Sequence, residues 1–351
     1  MPDNKLFIND PHEIIPQMID GFLAAFGGDF KKTEKYNGIV KRKQEKRVSV
    51  VTGGGSGGEP LFIGFVGEGL ADGAAIGNIA AAPPGTAVEA VCREVYNREG
   101  VMLIAGNHTG DIMNFELAAE LLSLNTDIKC EILYVTDDMG SSGDPRSPAN
   151  QGTDKSKRCS SAGTGIIVQI AAAAAANGYN LAEVKTAAQK ANGNMSTLSA
   201  VMEPGINLVT GLPLGSIAAD EILIGTGVTG EPGLGSVKMC GAKEITEILI
   251  GYLCDDLAFK KGDEAAVYIN GCGAVTVTEE LIVCGHACSA LTDRGISIYD
   301  VDLTERLRVG KTNAIYITLL KLDEELKKLA SHPSYSPLIH HRHYKPGIRS
   351  E

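Results

Sequence analysis

Short apolar runs that alternate with helical patterns constrain the fold of this chain more than any other feature. The runs RVSVV (residues 47–51), VMLIA (101–105) and EILYV (131–135) have the length and composition of buried strands. Helical patterns follow the first two runs, at residues 61–69 and 112–122. Strands and helices that alternate in this way favour a largely parallel sheet with helices on both faces. The pattern therefore predicts an α/β fold.

The same alternation continues beyond residue 192 and indicates a second unit. We predict two α/β domains with mainly parallel sheets flanked by helices, the first spanning residues 1–192 and the second residues 193–351. A chain of 351 residues has the length of two ordinary domains. The remaining predicted helices cover residues 164–177, 181–192, 243–257 and 279–294, and the remaining strands cover residues 198–202, 265–269 and 314–320.

A glycine-rich stretch, VTGGGSGGEP (residues 51–60), overlaps the end of the first strand. Gly53, Gly55 and Gly58 match the G-x-G-x-x-G fingerprint of dinucleotide-binding folds. That fold also needs an acidic residue after its second strand, and Asp72 has the spacing but precedes the next apolar run. The stretch lacks the Gly-Lys-Ser/Thr ending of a nucleotide P-loop. The alternative is a tight strand-to-helix turn in which glycine supplies positive φ.

Charge and composition exclude several classes of function. A net charge of −11 disfavours a nucleic-acid-binding surface, which depends on clustered Lys and Arg. No apolar run is long enough to span a bilayer, and the first ten residues lack the features of a signal peptide. Eight cysteines without a C-x-x-C pair are typical of reduced, mostly buried thiols. We therefore expect a cytoplasmic protein that binds neither nucleic acid nor membrane.

Three polar segments follow the ends of predicted parallel strands: TGGGSGGEP (residues 52–60), GNHTGD (106–111) and TDDMGSS (136–142). Ligands of such sheets bind at the carboxyl ends of strands, so we expect these segments to meet at one crevice. The long polar segment 141–165 is predicted to be mostly a mobile surface loop. The tail IHHRHYKPGIRSE (339–351) holds three histidines without a carboxylate or cysteine beside them, which favours a solvated basic tail over a metal site.

Seven motifs, spread in order over nearly the whole chain, resemble those of the substrate-binding K subunit of dihydroxyacetone kinases. They are TGGGSGGEP, GNHTGDIMNFELAAELL, VTDD, AGTGIIVQIAAAAAANG, GTGVTGEPG, NGCGA and LKLDEELKKLASHP. The resemblance implies a two-domain α/β fold, usually homodimeric, that binds a small ketose for phosphoryl transfer to its terminal hydroxyl. It also implies no cofactor on this chain, because ATP or ADP with Mg²⁺, or a phosphohistidine, belongs to a separate L-type nucleotide-binding subunit. The expected ligand is a small ketose or polyol.

The sequence departs from the family pattern at several site positions. The resemblance places substrate-binding residues at Gly55, Ser56, Gly57, Gly58, Gly106, His108 and Thr229. Gly58 stands where the family has a histidine, in G-G-G-S-G-H-E-P. Thr229 stands where a second family histidine, in G-M-G-I-H-G-E-P-G, captures the ketose as a hemiaminal. Gly106 and His108 replace the lysine and tyrosine of K-N-Y-T-G-D. Threonine cannot form the carbon–nitrogen adduct, so covalent capture at this position is not expected.

Asp111 is the catalytic side chain of the family that this sequence keeps. The resemblance makes it the base for the attacking hydroxyl, and a positioned base contributes roughly 10²–10⁴-fold to rate. The alternative is that Asp111 only caps a helix that begins at Ile112. His108, three residues away, either replaces a lost imidazole or serves as a structural hydrogen-bonding group.

These observations leave two main functions. The first is the ketose-binding subunit of a kinase, which the retained Asp111 favours. The second is a non-catalytic relative that binds a ligand and regulates a partner such as a transcription activator, which the loss of both histidines favours. An NAD-dependent dehydrogenase would rest on G-x-G-x-x-G alone.

Overall fold

Two six-stranded sheets, each covered by helices, organise this computed structural model. The structure describes residues 6–143, 154–227, 230–231, 233–344 and 346–347. The α/β class predicted from the sequence is confirmed. The chain passes from the first sheet to the second near residue 194, and the division into domains 1–192 and 193–351 stays a prediction.

The first sheet has the strand order β1-β2-β4-β3-β5-β6. Its strands are β1 (Phe30–Lys32), β2 (Gly38–Lys41), β3 (Ser49–Ser56), β4 (Gly73–Ile79), β5 (Val101–Gly106) and β6 (Cys130–Val135), and its helices are α1 (Ile14–Phe26), α2 (Gly85–Val95), α3 (Thr109–Asn125), α4 (Thr164–Ala176) and α5 (Leu181–Gly193). Strands β4, β3, β5 and β6 are parallel, as predicted for β3, β5 and β6. Alternate residues of β5 face opposite cores, with Leu103 toward α2 and α3 and Ile104 toward α4, so both faces are buried.

The second sheet differs from the prediction in its strand directions. Its strands are β7 (Met195–Glu203), β8 (Glu221–Ile224), β9 (Gly235–Lys238), β10 (Glu264–Gly273), β11 (Ser297–Asp302) and β12 (Asn313–Leu322), in the order β11-β10-β12-β7-β8-β9. Only β10 and β11 pair in parallel, while the other four neighbouring pairs are antiparallel. The helix between β10 and β11 makes a parallel crossover, whereas β12 enters between β10 and β7 after a connection without an α-helix.

Three helices complete this half of the molecule. They are α6 (Ala242–Asp256), α7 (Val277–Asp293) and α8 (Glu324–Ala330), and a short hairpin of β13 (Ser334–Tyr335) and β14 (His340–His341) follows. Helices α6 and α7 cover one face of the second sheet. On the opposite face Tyr268 and Tyr316 share one apolar core with α4 and α8, so the two sheets are joined through a common core.

Close packing explains the first glycines of the glycine-rich stretch. Gly53, Gly54 and Gly55 lie within β3 rather than in a loop after it. A Cβ atom added at Gly53 would lie 2.5 Å from the carbonyl oxygen of Ala75, and one at Gly54 would lie 2.2 Å from the ring of Phe62. These glycines therefore let β4 and an aromatic ring approach the strand.

The helix predicted at residues 61–69 is wrong. This segment forms a single 3₁₀ turn at Ile63–Phe65, and β4 follows it. A Cβ at Gly67 would lie 2.2 Å from the carbonyl oxygen of Tyr335, and Gly69 has a φ of +64°. Backbone hydrogen bonds of 2.8 Å join Glu68 and Tyr335 in both directions. The glycines of this segment thus leave room for the C-terminal hairpin to pack against it. This long-range contact takes the place of the local hydrogen bonds of a helix.

The prediction of a solvated histidine tail is also wrong for His341 and His343, although His340 and Arg342 are exposed. His341 is only 5% exposed, and its Nδ1 lies 2.7 Å from Oδ2 of Asp302. His343 Nδ1 lies 3.2 Å from Asp300. Both carboxylates come from β11, so the partners of these histidines are distant in sequence and could not be seen beside them.

All eight cysteines lie in the described part of the chain and are free thiols, three buried and five partly exposed. The expectation that most of them are buried is therefore wrong. Among the described residues, no helix combines the length and apolar character needed to cross a membrane.

Candidate functional site

A cavity of about 530 Å³ opens at the carboxyl end of β3 and β5. Its wall contains every predicted site residue apart from Thr229, which lies outside the described residues: Gly55, Ser56, Gly57, Gly58, Gly106, His108 and Asp111. Two of the three polar segments therefore meet at a crevice at the strand ends, as expected, whereas no residue of the third, TDDMGSS, lines it. Its volume is within the range of small-molecule sites.

The third predicted segment, TDDMGSS, hydrogen-bonds to the polypeptide that forms part of the cavity wall. Asp137, fully buried, accepts hydrogen bonds of 2.8 Å from the backbone amides of Ser161 and Gly163. Burial raises the pKa of Asp137 and raises that of Asp138 well above its usual value, where the charges of Asp137 and Glu231 add to the effect. The segment thus fixes the polypeptide that leads into α4.

Asp111 lies inside the first turn of α3, which begins at Thr109 rather than at Ile112. No side chain of the described residues caps this helix, so the capping role considered for Asp111 is not observed. The residue is 7% exposed, and its Oδ1 has no hydrogen-bond partner among the described residues. Asp111 lines the cavity, and a carboxylate at this position is suited to accept a proton from a bound hydroxyl.

His108 forms an ion pair with Asp111 at the cavity wall. Its Nδ1 lies 3.7 Å from Oδ2 of Asp111, and its Nε2 lies 3.7 Å from Oε1 of Glu231. Burial lowers the pKa of His108, but Asp111 and Cys159 outweigh this effect and raise it to about 10. This environment favours the protonated imidazole, the form that does not accept a proton.

Gly58 and Gly106, which stand where the family pattern has larger side chains, differ in the space around their Cα atoms. A Cβ at Gly58 would lie 2.9 Å from Cδ1 of Leu307, the flexible end of a side chain. A Cβ at Gly106 would lie 2.5 Å from Oγ of Ser160 and 2.9 Å from Nδ1 of His108. The space in front of Gly106 is therefore already filled by polar groups of this chain.

Sequence reasoning missed much of the wall. Ser160, Ser161 and Thr164 line the cavity, although all three lie in the segment 141–165, which was predicted to be mostly a mobile surface loop. Arg158, only 2% exposed, holds this segment through hydrogen bonds of 2.8 and 2.9 Å to Asp256. The apolar part of the wall includes Leu61, Phe62, Ile79, Ile206, Leu208, Leu214, Leu307 and Val309. Five of these eight residues come from beyond β7, and no local pattern links them to β3.

Asp72 has a structural role instead of binding a ribose. Its carboxylate accepts hydrogen bonds of 2.9 and 3.0 Å from Arg47 and one of 2.8 Å from the amide of Val50, and it pairs with Lys41 at 2.7 Å. It is 1% exposed. Asp72 is therefore not available to bind a ribose, and a dinucleotide site would rest on the glycine pattern alone.

Comparison with known proteins identifies the family. The Dak1 domain model matches residues 20–338. The dihydroxyacetone-binding subunit DhaK of PTS-dependent dihydroxyacetone kinase 2 from Listeria innocua is 32% identical over 336 residues, 95% of this chain and 98% of that protein. The L-erythrulose kinase of Pectobacterium atrosepticum is 32% identical over 349 residues, 97% of this chain but only 57% of the longer enzyme. The dihydroxyacetone kinase operon co-activator Dha-DhaQ shares the fold, with a TM-score of 0.84 at 23% identity over 93% of this chain and 99% of that one. The chain therefore belongs to the Dak1 domain family, that of the dihydroxyacetone-binding subunits which its motifs resemble.

Proposed function

We propose that this chain is the substrate-binding subunit of a dihydroxyacetone-kinase-like phosphotransferase that phosphorylates a small ketose or polyol. The observation that carries the proposal is Asp111, a largely buried carboxylate that lines the cavity and whose Oδ1 has no hydrogen-bond partner among the described residues. In this role Asp111 accepts the proton of the terminal hydroxyl, whose oxygen bonds to the transferred phosphorus as the bond to the donor breaks.

The substrate is held without covalent capture. Gly58 lacks an imidazole, and Thr229 cannot form a hemiaminal, so hydrogen bonds must hold the ligand. The hydroxyls of Ser160 and Ser161 line the cavity and can form them. The amide of Gly57 already donates to Glu59, and the carbonyls of Ser56 and Gly58 already accept from Ala80 and Arg308. A cavity of about 530 Å³ with apolar walls accepts ligands longer than three carbons. Similarity to an L-erythrulose kinase supports a four-carbon ketose among the candidates.

The phosphate donor belongs to a partner. The glycine-rich stretch lacks a P-loop lysine, and its first glycines are committed to packing within the sheet. The relative from Listeria innocua is named as one binding subunit of a PTS-dependent kinase. An L-type subunit that carries ATP and Mg²⁺, or a phosphorylated donor, is therefore proposed, together with a homodimeric state and a cytoplasmic location.

A second candidate is a ligand-binding regulator without catalysis. Its support is that this sequence has neither histidine of the family pattern, since Gly58 and Thr229 occupy those positions. The position of the Asp111 carboxylate at the cavity wall favours the kinase subunit, because a regulator needs contacts to its ligand but no base.

The test uses the Asp111→Asn variant together with the partner subunit, and it measures how fast the phosphorylated ketose forms. Because asparagine has nearly the same size, we expect ligand affinity to change modestly while kcat falls by roughly 10²–10⁴-fold. Asp127→Asn is the matched control, since Asp127 lies just beyond the other end of α3 and is exposed. Loss of activity that only follows loss of stability would contradict the role of a base.

A further inference from the structure

Three side chains of different chemistry meet beside the cavity, and the proposed function does not use them together. They are His108, Cys159 and Glu231, each partly buried. A ring nitrogen, the thiol sulfur and a carboxylate oxygen of these residues all lie within 4.8 Å of one another. They come from three separate segments: the start of α3, the polypeptide before α4, and the connection between β8 and β9. Only the tertiary fold brings them together.

We propose that His108, Cys159 and Glu231 bind a divalent transition-metal ion of the zinc type. Nitrogen, thiolate sulfur and carboxylate oxygen form a donor set that suits zinc, whereas a thiolate ligand disfavours magnesium and calcium. Three protein ligands with one coordination position left for water or substrate are the arrangement of catalytic rather than structural zinc sites. The inference goes beyond the proposed function and does not depend on it.

The distances are close to those that a metal needs. With metal–ligand bonds of about 2.0–2.3 Å, tetrahedral ligand atoms lie about 3.3–3.8 Å apart. Nε2 of His108 and Oε1 of Glu231 are 3.7 Å apart, already within that range. The thiol therefore needs to approach by no more than about 1 Å, which a change in one side-chain torsion supplies.

The imidazole also has the partner that metal-binding histidines usually have. Such a histidine presents one ring nitrogen to the metal and the other to a carboxylate, which fixes the ring. Here Nδ1 of His108 faces Oδ2 of Asp111 at 3.7 Å, while Nε2 faces Glu231. Nε2 is buried and has no hydrogen-bond partner in the described part of the chain. This orphaned nitrogen is the second sign that a ligand is expected at this position.

The surroundings carry an excess of negative charge. Asp111, Asp138 and Glu231 all lie near His108 or interact with one another. Asp138 is 5% exposed, and its Oδ2 finds no partner among the residues described. Buried carboxylates normally pair with a cation or coordinate a metal. A bound divalent ion would replace the proton of His108 as the positive charge that Asp111 and Glu231 face.

The backbone of Cys159 is fixed in place. Its amide donates a 2.9 Å hydrogen bond to Oγ of Ser141, and its carbonyl accepts one of 3.1 Å from the amide of Asp138. The neighbouring Arg158 is anchored to Asp256 by two hydrogen bonds. The thiol is therefore presented by a rigid segment, as a preorganised ligand requires.

A metal at this position would lie beside the ligand cavity, since His108 also lines its wall. A bound ion of this type supplies Lewis acidity, which polarises a carbonyl or hydroxyl oxygen. It would then compensate for the family histidines that Gly58 and Thr229 replace. This consequence rests on the proposed function, whereas the metal site itself does not.

The experiment is metal binding by the full-length chain, without ketose or partner subunit. Protein stripped with a chelator is titrated with Zn²⁺ and with Co²⁺ at pH 8, because the thiol and imidazole must lose protons to bind. Stoichiometry is measured by elemental analysis, and the Co²⁺ complex is examined for thiolate-to-metal charge-transfer absorption. We expect one ion per chain and a thiolate band.

Variants identify the ligands. Loss of a residue that only orients a metal ligand typically lowers metal affinity about 10–100-fold. Loss of a ligand itself should cost more, so we expect Cys159→Ser and His108→Gln each to lower the affinity by more than about 100-fold. Cys130→Ser is the matched control, a partly exposed thiol on β6 outside the cluster, and it should bind as the wild type does. Glu231→Gln, with folding checked by circular dichroism, provides a third test if either variant fails to fold.

Three results would overturn the proposal. They are less than about 0.1 ion per chain in the wild type, a Co²⁺ spectrum without thiolate absorption, and unchanged affinity in Cys159→Ser. None of these results bears on whether Asp111 acts as a base, because no ketose is present.

Discussion

Replacement of Asp72 by asparagine tests the structural role assigned to this buried carboxylate. The substitution leaves the positive charges of Lys41 and Arg47 without their buried partner, and both side chains are only 9% exposed. Removing one partner of a buried ion pair costs about 3–5 kcal/mol. The lower end applies here, because Glu45 and the carbonyl of Val48 still accept hydrogen bonds from Arg47. We therefore expect the free energy of unfolding to fall by about 3 kcal/mol.

Urea unfolding followed by far-ultraviolet circular dichroism measures this loss. With an m-value of about 3 kcal/mol/M, the midpoint should fall by about 1 M. Glu45→Gln is the matched control, because it removes the other acidic partner of Arg47 at a side chain that is 51% exposed. Exposed pairs contribute about 0–1 kcal/mol, so its midpoint should shift by less than about 0.3 M. Equal shifts in the two variants would refute the reasoning.

Three further predictions concern the ligand, the nucleotide and pH. Mass spectrometry after treatment with dihydroxyacetone and borohydride should show no adduct, because Thr229 cannot form a hemiaminal; a stoichiometric adduct on a histidine would contradict this. Calorimetry of the isolated chain with Mg-ATP should show no binding, and micromolar affinity would move the nucleotide site onto this chain. Burial acts to raise the pKa of Asp302, but Arg306 and His341 outweigh it and hold that pKa well below its usual range. The native state therefore loses stability as pH falls below about 4, the ordinary aspartate value, and Asp302→Asn should flatten this loss in acid unfolding curves. An unchanged acid transition in that variant would exclude Asp302 as its source.

The sequence predicted the parts of the fold that rest on local patterns. Strands β3, β5 and β6 contain short apolar runs, and α4 to α7 have long helical patterns, so their positions followed within a few residues. Strand β4 was missed because its sequence, GAAIGNI, consists largely of small residues. Those small residues are needed where β3 and β4 lie very close, a constraint that a single strand does not reveal.

The candidate site was predictable as far as it lies at strand ends. The segments around Gly58 and Asp111 follow parallel strands and meet at the cavity, as expected from the position of ligand sites in such sheets. The wall formed by Ser160 and Leu307 was not predictable, because it depends on how distant segments pack. The same holds for Cys159 and Glu231 beside His108, which no spacing in the sequence connects.

Phosphate transfer to a ketose, catalysed by this chain together with an L-type subunit, is the most direct test of the proposed kinase function. A panel of three- to six-carbon ketoses and polyols is incubated with the phosphate donor, and products are identified by ³¹P NMR and mass spectrometry. We expect a phosphate monoester to form on the terminal hydroxyl of at least one compound. The Asp111→Asn variant should form no such product. If compounds bind in the cavity but none is phosphorylated, the chain is a ligand-binding regulator and Asp111 only contacts the ligand.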